Sequence, residues 1–184
     1  MPMIKNRPVR GYSLLELIVS LGIFSMVMLV VTGAYMTLIS LDRQARANNQ
    51  LAASLSFAIE SMARSMRTGT SYACNANASA PNCSSGGASI SFLDSQNQTI
   101  TYRLKSDGSI GQCSGGLCTD ATAISLTDSR IDIDVFRFYV RGVGVGDAVQ
   151  PSVTLIVAGT MTTEGGETTS FSIQTGATQR LIEL

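Results

Sequence analysis

The sequence contains no histidine, and only 14% of its residues are charged, against roughly 25% in an ordinary soluble domain. Without imidazole there is no histidine-based triad, no histidine-ligated zinc or haem and no imidazole pH switch within this chain. The 13 basic and 13 acidic residues cancel, which removes the electrostatic case for binding nucleic acid. Proline is missing from residue 9 to residue 80, and after Asp42 glycine is missing until Gly69, so the commonest helix breakers are kept out of a long stretch. The polarity withheld from charge returns as 40 serine and threonine residues. At 184 residues the chain has room for one domain and an additional element, but not for two comfortable domains. This composition points to an anchored, extracytoplasmic, non-catalytic protein.

What is present is first of all an apolar run. Residues 17–41 are 25 positions without a charge, about 37 Å as a helix and longer than the roughly 30 Å hydrocarbon core of a bilayer. The apolar core of a cleaved secretory signal is shorter, about 7–15 residues. The flank Lys5, Arg7, Arg10 is purely basic and favours a cytoplasmic N-terminus, although Arg43 and Arg46 beyond the span reduce the contrast. Helical spacing then continues. Leu51, Leu55, Ala58, Ile59, Met62 and Met66 recur at three- and four-residue steps among Glu60, Arg64 and Arg67, one apolar stripe on a polar helix. Gly69 reads as its stop signal. The expectation is one helix over residues 12–67, transmembrane over about 17–41, whose first half is apolar all round and whose second half needs a cover.

From residue 68 to residue 184 the pattern changes to short alternating runs separated by Gly, Ser, Asn and Asp, a β-rich head. Ser89–Leu93 and Thr99–Leu104 flank Asp94–Gln98 as a hairpin, and Ile110–Gln112 adds a short strand. Ile131, Ile133 and Val135 alternate with Asp132 and Asp134, after which Phe136, Phe138 and Val140 become the apolar set, so a bulge is expected near Val135. Ser152–Met161 and Thr168–Thr175 form a second hairpin around Thr163–Glu167. A sheet with one apolar face is the natural partner of the amphipathic helical half. The fold class expected is α+β, a long N-terminal helix packed against an antiparallel sheet head.

The most informative residues are Arg10-Gly11-Tyr12-Ser13-Leu14-Leu15-Glu16-Leu17-Ile18-Val19. A basic leader ends in glycine and is followed by an apolar helix with one acid in its second turn. This resembles the class III signal of type IV pilins and of type II secretion pseudopilins, over about residues 10–41 as motif and beyond that as architecture, a pilin-like lollipop. The resemblance implies cleavage of leader residues 1–11 after Gly11 by a prepilin peptidase, with N-methylation of the new terminus at Tyr12. Phe or Met is commoner there. No proline lies between Pro8 and Pro81, where many pilins carry one inside the helix; Gly22 and Gly33 are the soft points instead. These departures point to a minor pilin or pseudopilin rather than a major pilin, and the head, with its Ile90–Asp94 and Ile100–Leu104 pair and its late Phe171–Arg180 strand, resembles minor components of the J or W type.

Glu16 is costly in an apolar segment, about 2.5–3.5 kcal/mol near a bilayer centre and less toward the interface. One reading is a carboxylate snorkelling to the headgroups. The resemblance implies another: pairing with the N-terminal amine, at Tyr12, of an adjoining subunit in a filament, so that both charges are satisfied in an apolar core.

Cys74, Cys83, Cys113 and Cys118 form an even set in a presumptively exported head, which reads as a disulfide framework. Spacing favours Cys74–Cys83 and Cys113–Cys118 among the three pairings; zinc is the weaker alternative because the spacings are not knuckle-like. Asp128, Asp132 and Asp134 read as a solvated strand face rather than a calcium site, with no twelve-residue oxygen-ligand loop in view. Gly142–Gly146 lacks the Lys-Ser/Thr of a phosphate loop and reads as a connection. Asn77, Asn82 and Asn97 match glycosylation acceptors.

The expectation is therefore a non-enzymatic minor pilin or pseudopilin with no cofactor and no metal. Its implied partners are the prepilin peptidase, other pilin or pseudopilin subunits and an assembly platform protein. It would sit in the inner (cytoplasmic) membrane as a single-pass protein with its N-terminus inside, then in an extracytoplasmic filament. Loss of the leader leaves 10 basic against 13 acidic residues. The alternative is a monomeric membrane-anchored binding module whose anchor is never cut.

Overall fold

The computed structural model describes residues 11–75, 83–143, 149–163 and 166–180. Helix α1 (Leu14–Thr68) comes first, then β1 (Thr70–Cys74), β2 (Ser89–Leu93), β3 (Thr99–Leu104), β4 (Ile110–Ser114) and β5 (Ile124–Ser125). The long strands β6 (Ile131–Arg141), β7 (Ser152–Thr162) and β8 (Thr168–Thr178) follow. The class is α+β, with every strand pairing antiparallel. Contacts divide the chain into two units, residues 1–43 and residues 44–184.

In the first unit the large apolar side chains from Leu14 to Leu38 are exposed. The helix there is long and apolar enough to cross a membrane. Its hydroxyls are satisfied inside the helix: Ser25 donates to the Leu21 carbonyl at 2.8 Å, Thr32 to Met28 at 2.7 Å and Thr37 to Gly33 at 3.1 Å. Back-bonding of this kind lets serine and threonine sit in an apolar segment without an orphaned polar group.

In the second unit the helical stripe is the floor of the core. Leu51, Leu55, Ala58, Ile59, Met62, Ala63 and Met66 are buried, and Leu51, Leu55, Ile59, Met62 and Met66 share one cluster with Ile90, Phe92 and Tyr102 of one sheet and Phe138, Leu155 and Val157 of the other. The sequence leads one to expect a single sheet; there are two, ordered β1-β2-β3-β4-β5 and β6-β7-β8. Alternation tells which face of a strand is buried, not which strand lies beside it. Strands β1 and β5 carry too short a pattern to be read from sequence. The sheets meet at β6. Gly87 and Phe138 exchange N–H···O bonds at 2.8 and 2.9 Å, and the Ile133 N–H donates to the Gly108 carbonyl at 2.9 Å. Gly108 has φ +75°, and a Cβ there would lie 2.0 Å from Asp132 Oδ1, so glycine is obligatory at this junction.

The expected bulge is real. Ile133 pairs with Gly159 and Val135 with Ala158, leaving Asp134 as the extra residue. Asp134 and Val135 consequently both face out, and the slip in sequence parity returns Phe136, Phe138 and Val140 to the buried face already used by Ile131 and Ile133.

The end of α1 is closed by side chains and distant backbone. Thr68 Oγ1 donates to the Ser65 carbonyl at 3.1 Å, the Tyr72 hydroxyl donates to the Met66 carbonyl and, at 2.9 Å, to that of Gly69. The Arg180 N–H donates to the Arg67 carbonyl at 2.9 Å. Three of the four last carbonyls, which no helical N–H can reach, are thereby satisfied. Burial pushes the Tyr72 phenol up to about 12, so it stays a donor at any physiological pH. Gly69 does not hold a left-handed turn, as a helix-stopping glycine usually does; it is not among the positive-φ residues. Its reason is space, since a Cβ would come within 2.4 Å of the Phe92 ring.

Candidate functional site

The site suggested by sequence is the N-terminal segment, and it is a matter of order along one helix end. Gly11, Tyr12 and Ser13 lie outside the helix and are exposed. The Ser13 carbonyl accepts the first helical bond, from the Leu17 N–H at 3.2 Å, which makes Ser13 the N-cap and Leu14 the first helical residue. The Gly11–Tyr12 peptide bond is therefore non-helical, with open space around Gly11.

Glu16 falls in the first turn of α1, three residues after the cap. Ser-x-x-Glu is the capping-box spacing, and it places the carboxylate at the positive end of the helix dipole. The Ser-x-x-Glu spacing is legible in the sequence and gives Glu16 a local use beside its cost in lipid. Gly11, Tyr12 and Glu16 thus lie within two turns' length of chain. The leader cations Lys5, Arg7 and Arg10 lie outside the described residues.

Around this geometry the family comparison is specific. A model described as the prokaryotic N-terminal methylation motif matches residues 6–32. This segment carries the prokaryotic N-terminal methylation motif. The matched residues take in the cations Arg7 and Arg10, Gly11, Tyr12, Glu16 and the apolar run as far as Thr32. Comparison with curated proteins gave no match, and comparison with solved structures gave none either.

The remaining residues singled out in the sequence lie in the head. The cysteines are bonded Cys74–Cys83 and Cys113–Cys118, with Cα separations of 6.2 and 5.6 Å. Asp128 is engaged by its neighbour: Arg130 Nε donates to its Oδ1 at 2.9 Å and Arg130 Nη2 to its Oδ2 at 3.0 Å. Those bonds and the Arg130 backbone N–H hold the Asp128 carboxyl down at about 2. Asp132 and Asp134 are exposed on β6. Among the described residues no cluster of three metal-type ligands occurs. Asn97 sits at φ +62° in the turn after β2; Asn77, Asn82 and residues 144–146 of the Gly142–Gly146 run lie outside the described residues.

Proposed function

We propose that this chain is a minor pilin or pseudopilin. A prepilin peptidase removes residues 1–11, Tyr12 becomes the methylated N-terminus, and α1 carries the subunit from the inner membrane into a type IV pilus-like or secretion-type filament. The single observation that supports this most is the methylation-motif match over residues 6–32, set at the start of a helix whose first half is apolar and uncovered.

The physical logic is one of matched charges. Cleavage before Tyr12 creates an ammonium group beside an apolar helix and discards three cations of the leader, which no apolar bundle would accept. Glu16 supplies the opposite charge one turn farther along. In a bundle of such helices the amine of one subunit and the Glu16 of its neighbour can neutralise each other, which fixes axial register because a misregistered carboxylate would be buried alone. The exposed apolar side chains of residues 14–38 then supply the adhesive surface.

Intact-mass and N-terminal peptide mapping, with and without a co-expressed prepilin peptidase, tests the reading. The expected product starts at Tyr12 and is one methyl group heavier, only when the peptidase is present. A chain that retains its leader in both cases is instead a membrane-anchored head. Glu16→Ala should leave cleavage and the folded head unchanged while reducing filament incorporation by an order of magnitude or more, about 1.4 kcal/mol or above. Cross-linking to co-expressed subunits measures it.

A further inference from the structure

We propose that the outer edge of β8 is a docking edge, which takes up an extended, carboxylate-bearing segment of a partner protein as a fourth strand of the β6-β7-β8 sheet. This rests on the head alone and does not depend on the leader being removed.

The head has four sheet edges among its described residues, and three of them are blunted. Strand β5 is only two residues long. Strand β1 is broken in register between Thr70 and Ala73, with Ser71 at φ +55°. The outer side of β6 is taken up by Gly87 and Gly108. Soluble proteins protect their edges by such devices, or by lysine and proline, because an open edge recruits strands. Strand β8 has none of them: Thr168–Thr178 runs eleven residues in unbroken register, with no charge and no proline.

Its orientation follows from its two ends. The Gln179 N–H donates to Pro151 and the Glu167 carbonyl accepts from Thr163, both at 2.9 Å, so odd-numbered residues turn their backbone groups to β7. Alternation then aims the N–H and C=O of Ser170, Ser172, Gln174 and Gly176 away from the sheet. All four residues are exposed.

Beside this edge runs a groove of about 370 Å³ between β8 and the outer half of α1. Ile59, Ala63 and Ile173 give it an apolar floor, and Arg64 and Arg67 stand over it against a single acid, Glu60. Arg64 already pairs with Glu60 at 3.4 Å. The backbone edge selects an extended segment, and the alternate side chains that such a segment turns toward α1 meet both the apolar floor and the excess of arginine, which selects apolar and carboxylate side chains on that one face.

The test uses the full chain in detergent micelles and a labelled peptide whose every second residue is valine or glutamate in turn, with serine between, and the same peptide with lysine for glutamate as control. The glutamate peptide should bind saturably, about tenfold tighter or more than its lysine counterpart, and slow amide exchange at Ser170, Ser172, Gln174 and Gly176. The pair Arg64→Glu with Arg67→Glu should reverse the preference. Ser172→Pro removes an outward N–H that β7 does not use, so it should abolish binding while the unfolding transition persists. Absence of binding, equal binding of both peptides, or protection elsewhere would overturn the proposal. So would binding that appears only after residues 181–184 are deleted, because the edge would then belong to the chain's own last residues.

Discussion

At the scale of single residues, the junction after α1 is where small changes should cost most. Gly69→Ala places a methyl group into the Phe92 ring and is expected to lower head stability by about 1–3 kcal/mol, as overpacking does. Tyr72→Phe removes the donor to two carbonyls and should cost about 1–2 kcal/mol. Urea titration followed by near-ultraviolet circular dichroism measures both. Three carboxylates set the acid limb, Asp120 among them, held below its ordinary value first by its hydrogen bonds from Ser106. Asp107 is held at about 2 first by the Ser109 hydroxyl, then by the Ser109 N–H and Lys105, and Asp128 at about 2 by Arg130. A folded value below the unfolded one means stabilisation that is complete above about pH 4 and lost as pH falls toward 2. Stability should therefore decline across that window, and Asp128→Asn should make the decline shallower.

At the scale of elements, α1 is one helix with two chemistries. Its outer stripe can be told from its outer back by mutation. Leu55, 1% exposed, is expected to cost about 2–5 kcal/mol as alanine. Phe57, two residues on and 76% exposed, should change stability by no more than about 0.5 kcal/mol. A loss of equal size at both positions, read from the same urea titration, would mean that the helix is rotated from the face described. The bulge at Asp134 is the corresponding device in the sheet. Were Asp134 kept in regular alternation instead of bulged out, either Ile131 and Ile133 or Phe136, Phe138 and Val140 would turn to solvent.

At the scale of the whole molecule, the core cluster lies entirely within residues 51–177. A fragment of residues 44–184 is thus expected to fold cooperatively in water without detergent, checked by a single sigmoidal urea transition. Its two disulfides close short loops, with sequence separations of 9 and 5, and reduction should lower its stability by about 2–3 kcal/mol per bridge. The full chain exposes too much contiguous apolar surface over residues 14–38 to behave in this way and should require lipid, detergent or like helices.

The sequence alone was sufficient for everything that depends on local order. The motif Gly11–Glu16, the uncharged span, the helical stripe and the bulge after Ile133 are all properties of neighbours along the chain, where spacing and period carry the information. The hairpins β2–β3 and β7–β8 were legible for the same reason. Only the tertiary structure decided which strands share a sheet, why Gly69 and Gly108 must be glycine, and that Tyr72 and the Arg180 backbone close the helix. It alone left β8 with an open edge. Those are encounters between residues far apart in sequence, fixed by how two sheets and one helix fill a common core, and no local pattern encodes them.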